Sequence, residues 1–166
     1  MYLNGLGSFG ASSLQRIPYN DGQGGDPTPL EGAFYEDDLH FYPALTPDDA
    51  YVIFNRTSNA STAGNANCKT ASGEEDFDVA GTYNNCGAEL WIVPSAGGQP
   101  IRLANANGPE GAGYVNSWAS VGPNLNTDHY WIAFSSARPY GFVRTDESGF
   151  APAPQIWIAG ISKTAM

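Results

Sequence analysis

The feature that most constrains the fold is a set of short runs of β-branched and aromatic residues, each bounded by turn-forming residues. The clearest runs are Tyr51–Phe54, Glu89–Val93, Tyr130–Phe134 and Gln155–Ala159. The chain contains 20 Gly and 12 Pro, and no window of about 11 residues or more has apolar positions at helical spacing. The fold is therefore predicted to be all-β, with these runs as strands and without long helices.

The runs return in the same order, which indicates an internal repeat. In the first full repeat, an aromatic-Pro pair precedes a Thr-Pro-Asp-Asp turn, a strand ending at Arg56, and the segment 89–103 with its Gly-Gly turn. In the second, Asn-Ser-Trp at 116–118 precedes a longer polar turn, a strand ending at Arg138, and a segment that begins at Pro154. The positions that define the repeat are Tyr42, Pro43, Pro47, Asp48, Phe54, Arg56, Trp91, Gly97, Gly98, Trp118, Phe134, Arg138 and Trp157.

A partial third copy precedes the two full repeats. Residues 14–30 place a strand, a proline, a Gly-rich turn and a closing leucine in the same order as residues 89–103. The repeats are longer than an undecorated four-stranded unit of about 40–45 residues, and the excess falls in polar insertions at 57–87, 105–115 and 140–153. Loops extended from a rigid scaffold are where binding usually resides, so the insertions are candidate binding regions.

The repeat resembles a known family. Its aromatic-Pro pair, Pro-Asp turn, Tyr-Val-Ile-Phe-Asn-Arg strand, Glu-Leu-Trp-Ile-Val strand and Gly-Gly turn are similar to the WD-like repeat of bacterial TolB-like β-propellers. In that family a Ser-Pro-Asp-Gly turn joins two strands. Here Asp49 replaces the glycine, and Asp tolerates the left-handed conformation better than most residues. The stretch 121–129 of the second repeat lacks this turn, so its hairpin departs from the family pattern.

The resemblance implies a partial β-propeller in a single domain over residues 1–166, with about two four-stranded antiparallel blades and a fragment of a preceding blade. It also implies an extracytoplasmic location, whether periplasmic, secreted or at the cell surface. Propellers usually have about 4–8 blades, and an open array leaves strand edges unpaired. The chain is therefore expected to belong to a longer propeller, or to cover its edges with further copies or a partner.

Charge and hydropathy exclude several partners. The formal net charge is −10 at pH 7, whereas binding to nucleic acid or an anionic membrane depends on Lys and Arg. No apolar run approaches the length of about 18 residues that a membrane span needs. The first residues also lack the basic and apolar regions of a signal peptide.

The two cysteines, Cys68 and Cys86, lie in a polar segment rich in Gly and Asn. A disulfide between them is predicted, and closing a loop of that size would contribute about 3 kcal/mol to stability. Disulfides persist in oxidising compartments, so the pair agrees with an extracytoplasmic location. Two unpaired thiols are the alternative.

The sequence contains no recognisable catalytic constellation. Residues 5–10 fit G-x-G-x-x-G, but the strand and helix that a dinucleotide site requires have no room there. This segment is expected to be a flexible N-terminal connection. No G-x-S-x-G motif is present, and His40 and His129 lack the spacing of zinc ligands, so they are assigned to packing at strand edges.

Calcium is the only cofactor with candidate ligands. Acidic loops can supply the six to eight oxygens that Ca²⁺ prefers, and among the acidic clusters Glu36, Asp37 and Asp38 are the predicted ligands. The tract lacks the D-x-[DN]-x-[DN]-G pattern, so the alternative is solvated loop charge.

Two further groups of residues have a structural and a binding interpretation. Arg56 and Arg138 end matching strands, where they are expected to bond carbonyls or a carboxylate, with an anion site as the alternative. Aromatic residues of the insertions either form a sugar- or peptide-binding face or cap the loops. These residues are Phe77, Tyr83, Tyr114, Tyr140, Phe142 and Phe150.

The predicted function is non-catalytic binding or scaffolding of a protein, peptide or glycan outside the cytoplasm. One alternative is the propeller part of a larger hydrolase or peptidase whose catalytic domain lies outside this chain. The other is a calcium-stabilised surface adhesin.

Overall fold

Strands dominate the computed structural model, which describes residues 2–6, 12–34, 38–58, 85, 87–123, 128–138 and 154–166. The strands are β1 Tyr2–Leu6, β2 Ser12–Arg16, β3 Thr28–Pro29, β4 Asp38–Leu45, β5 Tyr51–Ser58, β6 Glu89–Pro94, β7 Ile101–Arg102, β8 Ser117–Val121, β9 His129–Ser136 and β10 Gln155–Ser162. The helical turns are Asn20–Gly22, Ala104–Asn107 (α1) and Lys163–Ala165. The all-β prediction is confirmed, and each predicted run lies within a strand.

The strands pair as three consecutive antiparallel groups. We call them the N-terminal unit (β1–β3), the central unit (β4–β7) and the C-terminal unit (β8–β10). The N-terminal and central units share one parallel bridge, between Ser12 and Leu39, which joins them into a single seven-stranded sheet. Within the described residues the C-terminal unit has three strands rather than the four that the second full repeat predicted.

The two full repeats occupy equivalent positions. Phe54 pairs with Trp91 between β5 and β6, and Phe134 pairs with Trp157 between β9 and β10. The first strand of each repeat has a register shift at the same place, between Phe41 and Ala44 in β4 and between Ser117 and Ser120 in β8. Each shift contains one aromatic residue with positive φ, namely Tyr42 at 52° and Trp118 at 55°. The sequence repeat is therefore also a structural repeat.

The partial copy follows the same pattern. The backbone N–H of Leu30 donates to the carbonyl of Leu14 at 3.0 Å, and the N–H of Leu103 donates to the carbonyl of Leu90 at 3.0 Å. All four leucines are buried. Leu30, the closing leucine predicted for residues 14–30, thus has the same position in its repeat as Leu103 has in residues 89–103.

The core lies in two layers between successive units. Leu14 and Leu30 of the N-terminal unit cluster with Val52, Phe54 and Val93 of the central unit. The opposite face of the central unit presents Ile53, Leu90 and Ile92, which cluster with Ala119, Ile132 and Phe134 of the C-terminal unit. Burying a side chain of this size contributes about 1.5–3 kcal/mol. The central unit is therefore apolar on both faces, as a sheet between two others must be.

The Thr-Pro-Asp-Asp turn has the predicted conformation. Asp49 has φ 59°, in the left-handed region, and its N–H donates to the carbonyl of Thr46 at 2.9 Å. The Thr46 hydroxyl donates to Asp48 Oδ1 at 2.8 Å, and the Ala50 N–H donates to the same oxygen at 3.2 Å. Asp48 Oδ2 accepts from the Tyr130 hydroxyl at 2.5 Å, so the turn also joins the central unit to the C-terminal unit.

The Gly-Gly turn joins the central unit to the N-terminal unit. Gly97 and Gly98 have φ 98° and 140°, and the Gly98 N–H donates to the Glu31 carbonyl at 3.2 Å. A Cβ on Gly32 would lie 2.0 Å from the Gly98 carbonyl oxygen. Only glycine fits at position 32, because two backbones meet there.

Two details differ from the sequence predictions. Gly5 and Leu6 belong to β1, which pairs with β2 from Tyr2 to Leu6, and not to the predicted flexible connection, whose residues 7–10 lie outside the described part of the chain. Propensity missed this strand because Asn4 and Gly5 are poor strand formers. The insertion at 105–115 begins with α1, a single helical turn that the Gly and Pro content did not predict.

The Tyr130 to Asp48 hydrogen bond makes stability depend on pH. Burial and the hydrogen bond to Asp48 raise the pKa of Tyr130 to about 12. Burial opposes ionisation of Asp48, but the hydrogen bonds from Tyr130 and Thr46 outweigh it and lower the pKa of this carboxyl. The stabilisation that comes with the lowered pKa of Asp48 is present above the pKa of 3.8 in the unfolded chain. It is lost as the pH falls through the pKa of the folded state.

Tyr130→Phe is therefore expected to lower the free energy of unfolding by about 1 kcal/mol at pH 7, given the solvent exposure of Asp48. The difference from wild type should shrink below pH 3.8 and again above pH 10, where the tyrosine of the unfolded chain ionises. Urea unfolding at pH 3, 7 and 11 measures this, with exposed Tyr19→Phe as the control. An equal loss at every pH would contradict it.

Candidate functional site

The three long connections all leave the sheets at one end. They join β5 to β6, β7 to β8 and β9 to β10. Arg56 near the end of β5 pairs with Glu89 at the start of β6, and Ser136 at the end of β9 pairs with Gln155 at the start of β10. Because neighbouring strands are antiparallel, the insertions predicted from the sequence emerge together. We call this the loop end.

Buried asparagines hold the backbone at the loop end, where Asn55 joins the central unit to the C-terminal unit. The Asn55 side chain donates to the Asn116 carbonyl at 2.6 Å and accepts from the Trp118 N–H at 3.1 Å. The Asn107 carboxamide donates to the Leu90 carbonyl at 2.8 Å and accepts from the Leu90 N–H at 2.7 Å. Buried amides with these bonds fix the position of the backbone that they hold.

Arg56 has an electrostatic and an aromatic partner. Its guanidinium is 2.6 Å from the Asp38 carboxylate, and the Nε–H donates to the same oxygen at 2.8 Å. The group also lies 4.6 Å from the centre of the Trp91 ring. These contacts agree with the structural role expected for this arginine, and they engage the Asp38 carboxylate that the calcium interpretation would use.

Arg138 occupies the corresponding place in the C-terminal unit. Its guanidinium lies 4.7 Å from the Trp157 ring, donates to Asn116 Oδ1 at 3.2 Å, and also donates to the Ala106 carbonyl. No carboxylate of the described residues forms an ion pair with it. Burial lowers the pKa of Arg138, although an arginine stays protonated at any ordinary pH. Each repeat thus places one arginine over the tryptophan of its third strand.

A cleft of about 300 Å³ opens at the loop end beside these groups. One wall is the Arg56 and Trp91 pair, and the other is the Gly-rich segment 109–113 followed by Tyr114. Its acidic groups are Glu89, which is bonded to Arg102 at 2.6 Å, and Glu110. The hydrogen bond from Arg102 to Glu89 raises the pKa of Arg102. The cleft offers the Trp91 and Tyr114 rings and the Glu110 carboxylate to a ligand, because the Glu89 carboxylate and the Asn107 and Asn116 carboxamides are engaged within the protein.

Several predicted residues lie outside the described part of the chain. They are Glu36, Asp37, Cys68, Cys86, Phe77, Tyr83, Tyr140, Phe142 and Phe150. Of the candidate aromatic face, Tyr114 is described and lines the cleft. Within the described ranges, no three Asp, Glu, His or Cys side chains converge as metal ligands would.

The two histidines lie in strands, as their packing interpretation requires. His40 is buried in β4 with its ring 5.6 Å from the Phe54 ring. His129 begins β9, where its ring is 6.1 Å from the Trp131 ring. They belong to different units and share no site.

The sequence prediction missed the asparagines. Among these asparagines, only Asn55 had a local sequence signal for a buried role, because it is an uncharged polar residue that directly follows an apolar strand run. Asn107 and Asn116 stand in a polar segment where nothing distinguishes them from their neighbours. Their roles depend on contacts between residues far apart in the sequence.

Comparison with family models, with curated proteins and with solved structures gives no match in any of the three. Among the described residues, no helix has the length and apolar character needed to cross a bilayer. The class that the described structure defines is an all-β protein of stacked, repeated antiparallel units with a cleft at the loop end.

Replacing Asn55 is expected to destabilise the junction at the loop end. Asn55→Ala would leave the Asn116 carbonyl and the Trp118 N–H without their partner, at a cost of about 2–3 kcal/mol. Asn105→Ala is the control, because Asn105 is exposed and should change stability by no more than about 0.5 kcal/mol. Urea denaturation measures the free energy of unfolding of both variants. An equally small loss in the two would contradict the role of Asn55 in joining the units.

Proposed function

We propose that this chain is a segment of an extracytoplasmic β-propeller of the TolB-like kind, and that it binds a peptide or glycan at the loop end without catalysing a reaction. The observation on which the proposal depends is the register-matched stacking of the three units, with the three longest connections between strands at one end. Propellers are built by radial repetition of small antiparallel sheets, and stacked repeated units of this kind support the proposal.

The contents of the cleft support binding. Trp91 and Tyr114 provide aromatic surface and Glu110 provides an acidic acceptor, whereas Glu89 is already paired with Arg102. Aromatic rings with a few fixed polar groups are typical of sites that recognise sugars and peptides. The framework is rigid because Asn55, Arg56 and Arg138 are already bonded within the protein.

The extracytoplasmic location is proposed from the family resemblance and from the two cysteines. Disulfides persist in oxidising compartments, so a Cys68 to Cys86 bridge would suit a periplasmic or secreted protein. The net charge of −10 favours neutral or basic ligands over anionic polymers.

The test is to probe arrays of basic peptides and neutral oligosaccharides with the full chain, and then to measure the affinity of the hits. Tyr114→Ala combined with Glu110→Gln should weaken binding at least tenfold, because both side chains line the cleft. The matched control is Tyr19→Ala with Asp21→Asn, at the opposite end and exposed. Binding that survives the first pair and is lost with the second would contradict the proposal.

A further inference from the structure

The two amide side chains that line the cleft already have partners within the protein. The Asn107 carboxamide bonds both the N–H and the carbonyl of Leu90, at 2.7 and 2.8 Å. The Asn116 carboxamide accepts from Arg138 at 3.2 Å and donates to Asn107 Oδ1 at 3.3 Å. Both asparagines are buried, where a broken hydrogen bond is costly. Neither amide is therefore available to a ligand without a loss of stability.

The charged side chains of the cleft leave one carboxylate over. Arg56 is paired with Asp38 and Glu89 with Arg102, each at 2.6 Å. Glu110 is exposed and forms no ion pair within the described residues. The pKa of Arg102 is raised mainly by its hydrogen bond to Glu89 and further by the charge of Glu110, so the Glu110 carboxylate is close to this pair. Two arginines against three carboxylates give the cleft one excess negative charge.

The two rings of the cleft are held in place by the protein. The Arg56 guanidinium lies 4.6 Å from the centre of the Trp91 ring, and the Arg138 guanidinium lies 5.1 Å from the centre of the Tyr114 ring. A Cβ on Gly108 would lie 2.8 Å from Tyr114 Cε2, so the tyrosine ring packs directly against this glycine. Arg138 does not itself line the cleft. A ligand thus meets preorganised aromatic surface beside a single available carboxylate.

These contents distinguish between the two ligand classes of the proposed function. A glycan brings several hydroxyls on every ring, and a buried hydroxyl without a partner is unfavourable. The described side chains of the cleft leave only Glu110 to receive them. A lysine or arginine side chain brings an apolar stem and one cationic head. The volume of about 300 Å³ is at the lower end of the range of about 300–1,000 Å³ for ligand sites, which suits one side chain.

We propose that the cleft binds a lysine or arginine side chain of a peptide, with the stem against the Trp91 and Tyr114 rings and the cationic head at the Glu110 carboxylate. A cation in this position is attracted both by the carboxylate and by the aromatic rings. Glu110 is then the residue that determines specificity. The inference rests on the proposed function, because it names the ligand class of the same cleft.

Matched peptides test the role of the charge. Peptides that bind in the array are remade with acetyl-lysine in place of lysine, or with citrulline in place of arginine, at one position at a time. Acetylation removes the charge of lysine, and citrulline is the neutral analogue of arginine. Affinity for the full chain at about 0.15 M NaCl should fall about fivefold at the position that enters the cleft. Equal affinity of the charged and neutral forms at every position overturns the proposal.

Glu110→Gln identifies the carboxylate that recognises the charge. The substitution should weaken the charged peptide about fivefold and leave its neutral form unchanged, because the effects of two groups in contact do not add. Glu31→Gln is the matched control, since Glu31 is exposed beside the Gly-Gly turn at the opposite end. It should change neither affinity, and circular dichroism checks that both variants fold. An equal loss with Glu31→Gln would mean that overall charge attracts the peptide, which overturns the proposal.

Tyr114→Ala separates a failure of this inference from a failure of the proposed function. The charged and neutral peptides should both lose affinity, because the ring contacts the stem in either form. Oligosaccharides or neutral peptides that bind as tightly as basic ones and are weakened by Tyr114→Ala would overturn the inference and leave the proposed function standing. Binding that Tyr114→Ala and Glu110→Gln together do not weaken, or an array in which nothing binds, would overturn both.

Discussion

The stacking of an aromatic face on an aliphatic face is the interaction on which the rest of the structure depends. Phe54 and Trp91 face the N-terminal unit, and Phe134 and Trp157 face the central unit, in the same register each time. A shift of one residue in any strand would turn these side chains to the other side of their sheet. The repeat is therefore maintained by the burial pattern rather than by any single bond.

Polar contacts fix the two ends of the stack. At the loop end, the Asn55 side chain bonds the backbone of the next unit, and at the opposite end Tyr130 bonds Asp48. Apolar burial has no direction, whereas these hydrogen bonds determine how the units are aligned. The cleft beside Trp91 and Tyr114 lies at the end where the long connections emerge, so the same stacking positions the candidate site.

The sequence predicted the fold better than it predicted the site. Strand runs, the repeat and the left-handed Asp49 could be predicted because each depends on local pattern or on a single residue's conformation. The strand containing Asn4 and Gly5 was missed, since its pairing with β2 overrides poor propensity. The asparagine contacts join residues as distant as Asn55 and Asn116.

Nuclear Overhauser contacts of the two phenylalanines test the stacking most directly, with selective labelling of Phe, Leu and Ile. The structure predicts contacts from the Phe54 ring to Leu14 and Leu30, and from the Phe134 ring to Ile53, Leu90 and Ile92. Contacts from both rings to one set of aliphatic side chains, or from one ring to the other, would contradict the account.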